Sequence, residues 1–413
     1  MKHPFRALRN RDFALFVFGQ AAGILGYWIQ QIAVHWLMYR LTGSALLLGV
    51  TVFASQIPVL ILGPIAGAMA DRVNRHRAFF IVQTLQLVQA FVMAGLAFFD
   101  IIQPWHMIVL GIFLGMTVAI ELPVRHALLP ELLASREDLP NAVAVTSFMG
   151  SAGRLVGPSI AGVVIAVFGE SVCFLINGLM YFIVLATLMA IPRRPTTQRI
   201  ERRAMWRDLQ EGARYAWQAR PIRVLLIVLA VVSFMATPYQ PLMPAFVREA
   251  FDGGPQTLGF LVAASGLGAV LGTVFLSARS GMKGLIPLIA VATGCAGCAL
   301  VVFSLTRWFP LSLALMAVTG FGILLTTVSI SMILQTLVED HVRGRVMSLY
   351  TAAFLGVAPL GGLVAGAAAD RIGAPATIAL GGICCVLAAL ALARRRRPLS
   401  AAVAHSHADA GRR

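Results

Sequence analysis

The residues best suited to chemistry stand in one short run, Gly67-Ala-Met-Ala-Asp71-Arg72-Val-Asn74-Arg75-His-Arg77. Gly67 and Asp71 are four residues apart, so a helix places them on one face. A missing side chain at Gly67 lets a second helix approach closely. The Asp71 carboxylate can then cap a neighbouring helix N-terminus, where orphan N–H groups and the helix dipole favour an anion. Arg72, Arg75 and Arg77 hold the following turn at an aqueous face. Arg125, at the end of another apolar run, is a candidate partner for Asp71. This chemistry is electrostatic: a gate that makes and breaks ion contacts.

Ionisable groups inside long apolar runs form a second set. They are costly in a bilayer and persist where they bind, pair or carry a proton. Glu121, Arg154 and His35 qualify. Glu121 is the candidate to hold a proton. Arg154 can attract an anion or pair with Glu121, and such a pair would open on protonation. A buried pair that only fixes the bundle is an equal alternative, and for His35 a structural role is favoured. A third set is neutral. Gln20, Tyr27, Gln31 and His35 fall within about 80° of one another at 100° per residue. Gln83, Gln86, Tyr239, Gln240, Thr326, Ser329 and Gln335 add amides and hydroxyls to later apolar runs. Lipid offers these groups no partners, so they are expected to face an interior cavity. Such a lining suits a sizeable amphipathic ligand with few formal charges.

Catalytic signatures are missing from the chain. It has no Gly-x-x-x-x-Gly-Lys-Ser/Thr nucleotide loop, no His-Glu-x-x-His and no Gly-x-Ser-x-Gly. The expectation is a non-enzyme without cofactor or metal. Cys173, Cys295, Cys298, Cys384 and Cys385 all fall in apolar runs and read as small packing residues, the C-x-x-C at 295–298 included.

Long apolar helices must position these groups. The 413 residues are 59% hydrophobic and only 12% charged, with a mean hydropathy of +0.83. A soluble domain carries roughly 25% charge. Twelve segments are each long enough to span a bilayer. They lie near 13–40, 45–70, 78–99, 105–124, 141–168, 171–191, 222–248, 256–278, 284–305, 308–334, 345–369 and 374–393. Disorder, a disulfide-stapled secreted fold, a coiled coil and a membrane β-barrel are excluded. The segment MKHPFRALRNRDF shows no signal-peptide core with a cleavage site.

Charge sets the orientation. Of the 33 Lys and Arg residues, only Arg40, Arg248, Arg307 and Arg371 fall in one set of loops, and Arg154 within a span. The remainder crowd the other side, which is the positive-inside pattern. Both termini are therefore expected in the cytoplasm, and the net charge of +16 reads as topology, with no nucleic-acid partner. The longest polar stretch divides the chain into a first six-helix bundle (1–191), a cytoplasmic linker (192–221), a second bundle (222–393) and a disordered tail (394–413). In the linker Trp206, Leu209, Ala213 and Ala216 recur at helical spacing, as in an amphipathic helix at the membrane surface. The halves echo each other: Leu48-Gly49 with Leu258-Gly259, Ser55 with Ser265, and Gly157-Pro158 with Ala358-Pro359. A duplicated six-span unit is the layout of a two-bundle secondary transporter, complete as a monomer.

The Gly67–Arg77 run resembles the signature loop of the major facilitator superfamily. Asn74 stands where glycine is usual, and Asn also tolerates left-handed backbone. Trp28-Ile-Gln30-Gln31-Ile-Ala, Trp36-Leu-Met-Tyr39-Arg-Leu-Thr42-Gly43-Ser44 and Pro123-Val-Arg125-His-Ala-Leu-Leu-Pro130-Glu131-Leu resemble the branch that holds the enterobactin exporter and related efflux permeases. Glu211-Gly212-Ala-Arg-Tyr215 agrees. Gly153, Gly157, Pro158 and Gly162 resemble the antiporter motif of facilitator exporters, and Gly153, Gly157 and Ala161 physically form a small-residue ridge that Pro158 can bend. Span four lacks the deep arginine of many facilitator proton antiporters. The resemblance implies an all-α membrane protein of 12 transmembrane helices in the bacterial inner membrane. It further implies export of a small amphipathic substrate, such as a siderophore or hydrophobic drug, by proton antiport. A proton-coupled nutrient importer of the same fold is the alternative.

Overall fold

The computed structural model describes residues 6–70, 73–192, 214–215, 217–279, 284–338 and 340–394. Asp71, Arg72, the linker positions Trp206, Leu209, Ala213 and Ala216, and the tail beyond Arg394 lie outside them. Among the described residues there is no strand, and twelve helical stretches are long and apolar enough to cross a membrane, as expected. The chain divides into two compact units: Met1–Glu201 with Gly253–Ala263, and Arg202–Asp252 with Ala264–Arg413.

The first unit holds α1 (Arg11–Thr42), α2 (Ala45–Ala70), α3 (Arg75–Phe98), α4 (Pro104–Leu128), α5 (Leu139–Phe168) and α6 (Glu170–Met189). Local chemistry sets their ends. Asn10 accepts a hydrogen bond from Asp12 N and starts α1, and Gly43, at φ +62°, ends it. Asn74 does the same for α3 through Arg77 N at 2.9 Å. Its backbone is extended, with φ −66° and ψ 107°, so the expected left-handed tolerance is not what it supplies. A side-chain cap is what glycine lacks and Asn offers here. Within the unit α1 packs on α5 and α6, α2 on α4, and α3 on α4 and α6.

The second unit holds α7 (Arg220–Val231), α8 (Tyr239–Phe251), most of α9 (Pro255–Ser277), α10 (Leu285–Leu305), α11 (Phe309–Leu337), α12 (Asp340–Thr351), α13 (Val357–Ile372) and α14 (Ala374–Arg394). Spans seven and eleven, expected as continuous helices, each carry a π-helical turn, Val232–Ala236 and Ala352–Gly356. Prolines explain both. Pro238 and Pro359 follow these turns, and a proline ring clashes with the carbonyl four residues back, here Phe234 and Leu355. Widening the turn relieves the clash, and Thr237 N donates to Val232 O, five residues back.

Lipid removes the hydrophobic drive between helices, so packing decides how they meet. Glycines mark the closest approaches. A Cβ on Gly115 would meet Ser55 O at 2.1 Å, and one on Gly320 would meet Ser265 O at 1.9 Å. Gly67 differs from expectation: no described atom lies within 4 Å of where its Cβ would stand. The tight contact of α2 with α4 is made at Ser55 and Gly115 instead.

Candidate functional site

Glu121 is the described acidic side chain farthest from the end of its helix. Arg125 Nη1, one turn on, lies 3.2 Å from Glu121 Oε1, and Gln86 Nε2 of α3 donates to Glu121 Oε2 at 2.9 Å. Arg125 Nη1 also reaches Gln20 Oε1 of α1 at 3.5 Å. The Glu121 side chain is 12% exposed and that of Arg125 28%. Desolvating such a pair can cost more than its attraction returns unless other hydrogen bonds complete it. Gln86 and Gln20 complete this one. The cluster therefore ties α3 to α4 through the Glu121 carboxylate and α1 to α4 through the Arg125 guanidinium.

One expected pairing is redistributed. Arg154 does not pair with Glu121: its guanidinium lies 5.3 Å over the Trp28 ring, on an exposed stretch of α5. The i,i+4 position gives Arg125 to Glu121 with no other helix required. Arg125 is engaged with Glu121 and Gln20; its expected partner Asp71 lies outside the described residues.

The other gate residues are placed as follows. Arg75 Nη1 lies 2.6 Å from Glu131 Oε1 and 3.4 Å from Ala127 O, so it ties the start of α3 to the end of α4. Arg77 is exposed. Near them Arg6 pairs with Asp138 and Glu137, and Ala7 N donates to Asn141 Oδ1 at 3.0 Å. The ridge on α5 is a packing surface. A Cβ on Gly153 would stand 2.4 Å from Ile24, and one on Gly157 2.5 Å from Trp28. One on Gly162 would stand 2.7 Å from Pro255 O, in the same unit. Pro158 lies buried within the helix.

The neutral groups divide by helix. Gln31 Nε2 donates to Tyr27 OH at 3.0 Å, with His35 half-buried one turn on. Gln83 and Gln86 are buried on α3. Tyr239 OH bonds to Ser265 Oγ, and Gln240 Nε2 reaches Tyr239 OH at 3.4 Å. Thr326 is fully buried and bonds to Thr293 at 2.9 Å, tying α11 to α10. Gln335 is exposed and bonds to Ser331 on its own helix.

One buried network went unread in the sequence. Asn177 Nδ2 of α6 donates to Gln30 Oε1 at 2.8 Å, and Gln30 Nε2 donates to Gln89 Oε1 at 3.2 Å. All three side chains are about 1% exposed. Gly26 makes room, since a Cβ there would lie 2.5 Å from Asn177 Oδ1. Gln30 falls about 60° outside the stripe on α1, so helical spacing alone does not group it with those residues. The cost of any amide in lipid was the available signal. The cysteines also divide: Cys173 and Cys385 are buried, but Cys295 and Cys298 are exposed on α10 and pack no core. Among the described residues no group of three or more His, Cys, Asp or Glu is placed to hold a metal ion.

Residues 2–410 match a family model described as a transmembrane secretion effector. The chain is 26% identical over 387 residues to the staphyloferrin A transporter of Staphylococcus aureus, covering 87% of this chain and 90% of that one. It is 27% identical over 379 residues to the multidrug efflux pump Tap of Mycolicibacterium fortuitum, covering 88% and 90%. It is 22% identical over 360 residues to macrolide efflux protein A of Streptococcus pyogenes, covering 86% and 88%. Among solved structures, the nucleoside transporter NupG superposes with a TM-score of 0.73 at 14% identity, over 94% of this chain and 99% of that one. A bacterial homologue of the iron transporter ferroportin gives 0.72 at 14% identity, over 94% and 98%. At such identity these structures speak for the fold alone.

Proposed function

The chain belongs to the transmembrane secretion effector family of major facilitator transporters, a multi-pass membrane protein and not an enzyme, and from that premise we propose that it exports a small amphipathic molecule, a siderophore or hydrophobic drug, in exchange for protons. The names of its relatives, a siderophore transporter and drug efflux pumps, support that substrate class. It works by alternating access in the bacterial inner membrane, as a monomer with both termini in the cytoplasm.

The observation that carries the proton step is the Glu121 cluster. Its carboxylate is held by Arg125 and Gln86 away from the helix ends. Protonation removes the charge that Arg125 faces and releases the pair. Arg154, over the Trp28 ring and within electrostatic range of Tyr27, and His35, one turn beyond Gln31, are the further candidates to assist coupling. Tyr27, Gln31, Gln83 and Gln86 in the first unit, and Tyr239, Gln240 and Gln335 in the second, are the proposed substrate contacts, whereas the buried Thr326 ties α11 to α10. Gly67, Asp71, Arg72, Arg75, Arg77 and Arg125 form the proposed cytoplasmic gate. Gly153, Gly157, Pro158 and Gly162 hold α5 close enough to its neighbours to act as a seal.

Inside-out vesicles with an imposed proton gradient test the reading. Siderophores and lipophilic drugs are added in turn, and dissipation of the gradient is recorded. Substrate-triggered proton release by the native protein, lost in Glu121→Gln, is the expected result. Full pumping with full pH dependence in Glu121→Gln would overturn the proton role.

A further inference from the structure

We propose that Gln86 is a positioning residue that sets the pH at which Glu121 changes charge, and that its amide turns over when it does. The proposal rests on Glu121 being the proton site. Gln86 Nε2 donates both to Glu121 Oε2 at 2.9 Å and to Thr117 Oγ1 at 3.3 Å. Thr117 spends its own hydroxyl proton on Leu114 O, so toward Gln86 it can only accept. Gln86 Oε1 is buried and has no hydrogen-bond partner.

An ionised carboxylate only accepts, and the amide therefore shows it nitrogen. A carboxyl protonated on Oε2 donates instead. Nε2 then opposes it, donor against donor, and the unpartnered Oε1 is the acceptor it needs. Half a turn about the terminal torsion, which is broad and two-fold in Gln, delivers that oxygen. The turn also withdraws Nε2 from Thr117 and so removes a tie between α3 and α4. Only the O–H bond on Glu121 forms and breaks. The proton is taken from water on the side to which the site is open and returned to water on release.

Other charged and titratable groups face Glu121 from the helices around it. Arg125 holds the opposite oxygen. Tyr27 of α1 and Tyr181 of α6 lie within electrostatic range, and Arg154 of α5 acts on Tyr27. The described helix α2, Ala45–Ala70, carries no titratable side chain apart from its hydroxyls.

The test is an infrared difference titration of the full chain in lipid bilayers. The native protein is expected to give a protonated-carboxyl band that Glu121→Gln removes. In Gln86→Met that band moves to the higher frequency of a carboxyl without an acceptor. Its pH midpoint rises by about one unit, because the charged form loses the stronger hydrogen bond. Should that variant fail to fold, Thr117→Val reads the same coupling. With no Thr117 bond to lose on turning, the midpoint rises by about half a unit. An unmoved band and midpoint in the folded variants, with the band absent in Glu121→Gln, overturns the role of Gln86 alone. A band that survives Glu121→Gln overturns the proton-site reading and this proposal with it.

Discussion

Ser55 and Ser265 stand at matching places in the two units, and each lays its carbonyl against a glycine, Gly115 in one and Gly320 in the other. Their side chains then part company. Ser55 Oγ donates to Val52 O of its own helix, whereas Ser265 Oγ meets Tyr239 OH from another. The wider interiors diverge as well. The first unit buries Gln20, Gln30, Gln83, Gln86, Gln89 and Asn177 beside an ion pair. In the second, the buried polar side chains among the described residues are serines and threonines, with Tyr239 beside them. A hydroxyl can spend its proton on the carbonyl of its own helix, as Thr326 does on Gly322 O and Thr327 on Ile323 O. An amide has two donors and an acceptor to satisfy and must reach other helices. The repeat thus shares a backbone skeleton, while among the described residues the buried amides, which must reach other helices, sit in the first unit.

The shared skeleton is the easiest part to break. A side chain at Gly115 or at Gly320 would press on backbone at about 2 Å. Backbone cannot move aside as a side-chain tip can. Gly115→Val and Gly320→Val are each expected to cost about 3 kcal/mol or more. Size-exclusion profiles and melting of the detergent-solubilised protein check this. Loss of the monodisperse peak in one variant only would end the equivalence of the two contacts.

The amide interior is next. Gln30→Leu removes the bridge between Gln89 and Asn177 and leaves Gln89 Oε1 and Asn177 Nδ2 unpaired in a dry interior. The expected cost is about 2–4 kcal/mol, read as a lowered melting temperature. Transport per folded molecule is retained, because the network does not touch Glu121. A variant as stable as the native protein would show that water already fills the gap.

Much of this was open to reading and some was not, for physical reasons. Twelve spans follow from hydropathy because every backbone group in a bilayer must be satisfied within a helix. Glu121 stood out because a carboxylate in an apolar run is costly. Partner choice did not follow. Arg125 lies one helical turn from Glu121, yet Arg154 could be assigned to that carboxylate as well, since sequence ranks neither distance nor burial. The Gln30–Gln89–Asn177 network joins residues 59 and 147 positions apart, and a helical wheel knows nothing of neighbouring helices. The π turns were half visible: Pro238 and Pro359 announced a disturbance, and only the backbone showed that it is a widened turn and not a break.

The hydroxyl interior is where the smallest effect is expected, and it separates two roles for one residue. Thr326 was a candidate to face substrate, yet it is fully buried between α10 and α11. Its single proton goes to Gly322 O at 2.8 Å, so Thr293 must be the donor in the 2.9 Å contact. Thr326→Val leaves Thr293 able to turn back to a carbonyl of its own helix, which caps the cost at about 1 kcal/mol. A melting shift of about 2 °C is expected. Drug selectivity in vesicles separates the roles, because a buried tie has no means of choosing among substrates. An unchanged ranking of drugs fixes Thr326 as a tie between helices. A changed ranking at unchanged stability places its hydroxyl on the substrate path, and the second unit would then contribute recognition chemistry of its own.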